Sequence, residues 1–235
     1  MNRGHLLIAV ALGASAFTAR PVLAQTPCAG LPTYAELKEK MIAASDPAGW
    51  PAPPDPNRGF RLNMWGTIVN RDGVVCAVVF TGGDRGDQWP GSRVISAQKA
   101  NTANAFSLDG LALSTAQLYG LVQPGASLFG LQESNPVATD VAYKGPSTNY
   151  GVPNDPMVGS KIGGVNVFGG GLALYKAGKV IGALGVSGDT SCADHNIAWK
   201  ARQLLALNGT PTSDNITYGA GNHPSCLGGE TPPAP

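Results

Sequence analysis

Lys99 and Thr102 stand three residues apart in a segment whose pattern is typical of a helix, so both side chains lie on one helix face. An ammonium group and a hydroxyl group on one face can together hold a ligand carboxylate. Arg93, near the start of the same segment, can supply a second cation. The structural alternative is that Lys99 caps a carbonyl of a neighbouring subunit while Thr102 packs. The residue types predict a contact with a carboxylate-bearing ligand.

Gly185–Gly188 has almost no side-chain bulk and directly precedes a predicted helix. Backbone N–H groups at such a place can hold an anion, which makes Gly185, Ser187 and Gly188 candidate binding residues. Ser187 does not complete the Gly-x-Ser-x-Gly pattern of a nucleophilic serine, because Asp189 occupies the last position. We therefore expect a backbone cradle and no serine hydrolase, with a purely structural tight turn as the simpler alternative.

His195 is the candidate ligand for haem iron or another metal, because imidazole is the usual protein donor to haem iron. It falls beside Asp194 in the first turn of the last predicted helix. A helix N-terminus disfavours the imidazolium form and so favours a neutral, ligand-competent imidazole. The alternative is a histidine that faces solvent. His223, in the tail, is a weaker candidate.

Two hairpins and three helices would have to position these residues. Adjacent hairpins favour an α/β (α+β) fold in which helices pack on an antiparallel sheet. Ser191 is expected to cap the last helix and Gly209 to end it. The predicted elements are a helix at Thr33–Ser45, strands at Leu62–Val69 and Val74–Phe80, a helix at Ser92–Phe106, a short helical turn after Ser114, a Gly-rich hairpin within 169–188 and a helix from Ser191.

The organisation predicted for the chain is one domain over residues 25–207, with a signal peptide before it and an irregular tail at 208–235. Loops are inserted at 46–60 and 122–164, where proline, glycine and polar residues replace any periodic pattern. Charged residues make up only 13% of the chain, beside 32 glycines and 19 prolines. This composition favours short strands, tight turns and surface buried between subunits.

The first residues carry the pattern of an export signal: a basic start, an uncharged apolar run and small residues before a cleavage site after Ala24. The apolar run is too short to span a bilayer, and no later run is longer. Cleavage leaves 14 basic and 15 acidic residues, a net charge of −1. This balance argues against a nucleic-acid partner. We expect a periplasmic or secreted protein.

Four cysteines remain after cleavage, and an oxidising compartment favours disulfides. Three pairings are possible. The reach of the tail favours Cys192–Cys226, and we pair Cys28 with Cys76. Zinc is less favoured, because there is no Cys-x-x-Cys motif and only two histidines remain after cleavage.

Two segments resemble the GlcG/HbpS family of haem-binding-like proteins, a family once known only as domain of unknown function 336. One is the final Ile-Gly-Ala-Leu-Gly-Val-Ser-Gly of the Gly-rich hairpin. The other is the helix with the pattern Ser-x-x-x-x-Ala-x-x-Lys-Ala-x-Thr-Ala-x-x-Phe, whose positions are filled by Ala97, Lys99, Ala100, Thr102, Ala103 and Phe106. The resemblance covers roughly residues 60–207, although Ala173 stands where the family usually has proline.

This resemblance implies a profilin-like sandwich that assembles into homo-oligomers and binds a small molecule. The ligand would be haem or another carboxylate-bearing compound, held near Lys99, Thr102 and the Gly-rich turn. One alternative is an enzyme that acts on a small organic acid with Lys99 as an electrophilic or acid/base group. Another is a structural assembly protein with no ligand. Catalytic residues are not assigned.

Overall fold

The structure, a computed structural model, describes residues 27–45, 59–209 and 213–234. The predicted signal peptide over residues 1–24 and most of the predicted loop 46–60 lie outside these ranges. The longer elements are α1 Tyr34–Ser45, β1 Trp65–Asn70, β2 Val75–Phe80, α2 Ser92–Phe106, β3 Gly171–Lys176, β4 Lys179–Ser187 and α5 Ser191–Leu204. Two single-turn helices lie between α2 and β3, α3 Thr115–Leu118 and α4 Thr139–Ala142.

The four strands form one antiparallel sheet in the order β2-β1-β4-β3. Each hairpin supplies one half, and the halves join through β1 and β4. Helix α2 packs on one face, while α1 and α5 pack on the other. The predicted antiparallel sheet with packed helices is therefore confirmed. Among the described residues, no helix is long and apolar enough to cross a membrane.

Glycine lets α2 approach the sheet closely. A Cβ added at Gly185 would lie 1.9 Å from the Ser96 carbonyl oxygen and 2.4 Å from the Ala100 nitrogen. Gly185 sits inside β4, paired with residues of both neighbouring strands. Its small size thus serves helix–sheet packing, and it does not belong to an open anion cradle.

Local sequence signals place most boundaries correctly. The predicted helix at Thr33–Ser45 begins with a capping box, in which the Thr33 N–H donates to Glu36 Oε2 at 2.8 Å. The last helix differs, because Thr190 and not Ser191 caps it: Thr190 Oγ1 accepts from the Ala193 N–H at 3.2 Å. The helix also ends at Leu204, five residues before Gly209, which had been expected to end it.

The segment 122–164 is largely irregular and covers an edge of the sheet. The Val75 N–H donates to the Ser160 carbonyl and the Gly159 N–H donates to the Val75 carbonyl, each at 2.9 Å. These bonds occupy backbone groups that an uncovered edge strand would offer to other chains.

Both predicted disulfides, Cys28–Cys76 and Cys192–Cys226, are present. The described part of the tail, 213–234, contains no helix or strand and packs along α5. Near its end, the Ala234 carbonyl accepts a hydrogen bond from Trp199 Nε1 at 2.8 Å.

Candidate functional site

A cavity of about 250 Å³ opens where α2, the end of β4 and the start of α5 meet. Lys99, Ser187 and Asp194 contribute polar groups to it. Two aromatic side chains, Trp89 and Phe168, also line it and are 53% and 46% exposed, so they stand at its mouth. Its remaining lining residues are Ser92, Ile95, Asp189 and Ser191.

A buried ion pair lies at this cavity. Lys99 Nζ donates to Asp194 Oδ2 at 2.7 Å and to the Val186 carbonyl at 3.0 Å. The Lys99 and Asp194 side chains are only 1% and 3% exposed. The pair links α2 to the first turn of α5, so the two helices that flank the sheet meet through opposite charges.

Burial pushes both members of the pair toward their neutral forms. Loss of hydration lowers the pKa of Lys99, although the Asp194 carboxylate opposes this shift. Loss of hydration also raises the pKa of Asp194 to about 6, against the opposing effect of Lys99. A proton on Asp194 near neutral pH would release Lys99 from its partner and leave its charge available to a ligand.

Asp189 holds the wall of the cavity and is not free to bind. Its two carboxylate oxygens accept backbone hydrogen bonds from Phe60 at 2.8 Å, Leu62 at 3.0 Å and Thr190 at 2.6 Å. Its own N–H donates to Asp194 Oδ1 at 2.9 Å. The acid that breaks the nucleophilic-serine pattern thus ties the segment before β1 to the start of α5.

Ser187 lies at the cavity and is 4% exposed. No described histidine lines this cavity, so Ser187 has no imidazole base there. The expectation that Ser187 is not the nucleophile of a serine hydrolase therefore stands as a prediction.

The structure does not bring Thr102 or Arg93 to this cavity. Thr102 Oγ1 donates to the Gln98 carbonyl at 2.8 Å and accepts from the Asn166 N–H at 3.0 Å. Arg93 is 1% exposed and forms a bidentate pair with Asp155, with its Nε 2.8 Å from Asp155 Oδ2. Both residues anchor the segment that follows α2, so of the three predicted carboxylate contacts only Lys99 reaches the cavity.

Gly188 also has a packing role. A Cβ added there would lie 2.5 Å from the Asn63 carbonyl oxygen and 2.8 Å from Gln88 Nε2. Neither Gly185 nor Gly188 lines the cavity, and of the predicted cradle only Ser187 does.

His195 is fully buried, so the alternative that it faces solvent is wrong. Burial holds the pKa of its imidazole well below the usual value, which agrees with the neutral form expected from sequence. Its ring stacks on Trp199 with centroids 6.1 Å apart, and neither ring nitrogen has a hydrogen-bond partner among the described residues. It does not line the Lys99 cavity.

Sequence reasoning missed three contributors to the site. The sequence gives Asp194 only as the neighbour of His195, whereas the structure makes it the partner of Lys99. Trp89 and Phe168 lie in Gly- and Pro-rich loops. Large aromatic residues in such loops are a signal that could have pointed to a binding surface.

Comparison with known proteins gives three findings. The family described as "Haem degrading protein HbpS-like" matches residues 61–203. A relative from Citrobacter freundii, the "Uncharacterized 15.0 kDa protein in dhaT-dhaS intergenic region", is 34% identical to this chain over 131 residues. The matched region makes up 53% of this chain and 70% of that protein. Among solved structures, the PduOC:heme complex has 23% identity and a TM-score of 0.48 over 72% of this chain and 89% of that one. Klebsiella pneumoniae protein ORFY has 24% identity and a TM-score of 0.47 over 74% and 90%.

Proposed function

This chain belongs to the HbpS-like family, and we propose that it is a binding protein for a small carboxylate-bearing ligand, with haem as the leading candidate. The ligand binds in the Lys99 cavity. The observation that carries the proposal is a buried lysine at a cavity whose mouth is formed by two exposed aromatic rings. Such a site can hold an anionic group inside and an apolar body outside.

The charges at the cavity decide how an anion enters. Lys99 is paired with Asp194, and Asp189 adds a second carboxylate to the lining, so the cavity does not by itself attract an anion. The three backbone N–H groups that bind Asp189 already compensate its charge. Asp194 can take up a proton because its pKa is raised to about 6. Ligand binding therefore proceeds with proton uptake by Asp194, and the ligand carboxylate replaces Asp194 as the partner of Lys99.

The cavity suits one end of haem better than the whole of it. Its volume of about 250 Å³ lies below the range of roughly 300–1,000 Å³ typical of sites that enclose a drug-sized ligand. A propionate would reach Lys99 while the macrocycle packs against Trp89 and Phe168. The lining residues include no histidine, cysteine, methionine or tyrosine, the side chains that usually ligate haem iron. These residues would hold haem through its propionate and its ring, not through an axial bond.

A haemin titration followed at the Soret band tests the proposal. We expect a saturable shift for the wild-type protein and its loss in Lys99→Met, because the variant removes the charge that pairs with the propionate. Lys176→Met is the matched control, since Lys176 is exposed at the far end of β3. A short monocarboxylate such as glycolate should compete with haemin. Equal haemin affinity in Lys99→Met and the wild-type protein would exclude this cavity as the site.

An acid/base enzyme is the second candidate, because the pKa values of Lys99 and Asp194 are displaced toward each other. Such a pair can exchange a proton and so act on a small organic acid bound beside it. Turnover of organic acids by the wild-type protein, lost in Lys99→Met, would favour this function over binding alone.

We further propose that the protein is exported and forms homo-oligomers. Two disulfides among the described residues support an oxidising compartment. Exposed aromatic residues such as Phe129, which is 65% exposed, are consistent with surface that a second copy covers. Mass analysis of the mature N-terminus, expected at Gln25, tests export, and light scattering of the purified protein tests the assembly.

A further inference from the structure

Two sulfur atoms and an imidazole come together at the start of α5. Cys192, His223 and Cys226 each offer one potential ligand atom, and these atoms lie within 4.8 Å of one another. Cys192 and His223 are fully buried, while Cys226 is half-buried and within reach of a small reductant. The two sulfurs are joined as a disulfide, so neither is a thiolate in this state.

The surroundings of Cys226 favour negative charge on its sulfur. The Cys192 N–H, in the first turn of α5, donates to Cys226 Sγ at 3.3 Å. Ser191 Oγ lies 3.5 Å from the same sulfur. The N-terminus of a helix adds a partial positive charge at this position. A thiolate formed here would have hydrogen-bond donors already directed at it.

A second observation beside the cluster indicates a missing polar partner. His195 is completely buried, and both of its ring nitrogens lack a partner among the described residues. It lies three residues after Cys192 and so on the same face of α5. A Cβ added at Gly169 would lie 3.0 Å from His195 Cβ, and the Gly169 N–H donates to His223 Nε2 at 3.3 Å. The Cβ of His195 and the ring of His223 thus both approach one glycine. Unpaired buried polar groups such as the His195 ring nitrogens are uncommon.

We propose that reduction of the Cys192–Cys226 disulfide by a dithiol converts this cluster into a Zn²⁺ site with Cys192, Cys226 and His223 as ligands. Two thiolates and an imidazole are a donor set that zinc favours, and three protein ligands leave a fourth position for water. A water molecule bound to the metal would supply the hydrogen-bond partner that the His195 ring nitrogens lack. None of its three ligands lines the Lys99 cavity, although Ser191 contacts both, and the site does not depend on the proposed ligand.

The chemistry balances in two steps. The dithiol gives two electrons and two protons to the sulfur–sulfur bond and becomes a disulfide itself, leaving two thiols on the protein. Zn²⁺ then displaces both thiol protons into solvent. The ring nitrogen of His223 that faces Cys192 is Nδ1, which lies 4.0 Å from Cys192 Sγ. In the disulfide form, this nitrogen lies 2.8 Å from the Pro224 carbonyl oxygen. Its proton moves to Nε2 when the metal binds, so the bond from the Gly169 N–H is lost.

Co²⁺ serves as the test probe, because tetrahedral thiolate coordination gives it intense visible bands. We expect no bands with the oxidised full-length protein. After reduction by a phosphine, the protein should bind one equivalent of Co²⁺, and Zn²⁺ should displace it. Cys192→Ser/Cys226→Ser should lose the bands. Cys28→Ser/Cys76→Ser is the matched control and should keep them, because no metal-binding cluster among the described residues includes that pair.

His223→Ala should also lose stoichiometric binding. His195→Phe should weaken Zn²⁺ affinity by about 10–100-fold, the range for partners that contact a metal site indirectly. Near-UV circular dichroism controls for folding: if reduction loosens the protein, Zn²⁺ should restore its signal. The proposal is overturned if the reduced wild-type protein stays folded and gives no Co²⁺ bands. It is overturned equally if reduction loosens the protein and metal restores neither the near-UV signal nor the bands. Equal bands in Cys192→Ser/Cys226→Ser would also overturn it.

Discussion

Replacing Lys99 by methionine should destabilise the protein strongly and in a pH-dependent manner. The substitution keeps the length of the side chain but leaves the Asp194 carboxylate buried without its cation. Breaking a buried pair by removing one partner costs about 3–5 kcal/mol. We expect a loss of this size in the free energy of unfolding at pH 7.5.

The pH dependence follows from the pKa of Asp194, which is raised to about 6 in the folded protein. Because this pKa lies above the ordinary value of 3.8, the folded protein holds the proton more tightly than the unfolded chain does. The wild-type protein therefore loses stability as the pH rises from about 3.8 to about 6. Lys99 partly offsets that rise, so the variant has a still higher folded pKa at Asp194. The wild-type stability stops falling above about pH 6, whereas the variant goes on losing stability as the pH rises further. The penalty of the substitution therefore grows between pH 6 and pH 7.5, by at most about 2 kcal/mol at 1.36 kcal/mol per pH unit.

Urea unfolding followed by tryptophan fluorescence at pH 5 and pH 7.5 measures both quantities. Lys179→Met is the matched control, since Lys179 pairs with Asp109 on the surface and should leave the unfolding midpoint unchanged. The double variant Lys99→Met/Asp194→Leu should recover most of the lost stability, because it removes the unpaired charge. A loss below about 1 kcal/mol at pH 7.5, or an equal loss at both pH values, would refute the reasoning.

Two further substitutions test the packing that positions the site. Gly185→Ala places a methyl group 1.9 Å from the Ser96 carbonyl oxygen, so we expect the free energy of unfolding measured in urea to fall by more than about 4 kcal/mol. Gly91→Ala is the control and should be close to neutral, because nothing lies within 4 Å of the added methyl group. Similar losses in the two variants would contradict the packing account. Arg93→Met leaves Asp155 buried without its cation and should cost about 3–5 kcal/mol. It should also speed proteolysis within 122–164, and an unchanged cleavage rate would argue against this anchor.

Local signals in the sequence predicted most of the secondary structure. The bounds of α2, the capping box of α1 and both hairpin turns depend on residues within a few positions of one another. The pairing of Cys192 with Cys226 also followed from local reach. These features require no knowledge of how distant segments pack.

The site was less predictable because it depends on distant contacts. Lys99 and Asp194 are 95 residues apart, and only the packing of α2 and α5 around the sheet brings them together. Spacing placed Lys99 and Thr102 on one helix face, but both sides of α2 are buried and its polar residues reach different neighbours. Zinc was disfavoured for lack of a local cysteine motif, whereas folding brings two cysteines and His223 together.

The most direct test of the central claim is haemin affinity at pH 6 and pH 8, measured on the wild-type protein and Asp194→Asn. If binding requires a proton on Asp194, wild-type affinity should fall by about 50-fold between these pH values, given a pKa of about 6. Asp194→Asn should bind equally well at both, since its side chain carries no charge to neutralise. A wild-type affinity that does not change with pH, or an equal change in Asp194→Asn, would contradict the account.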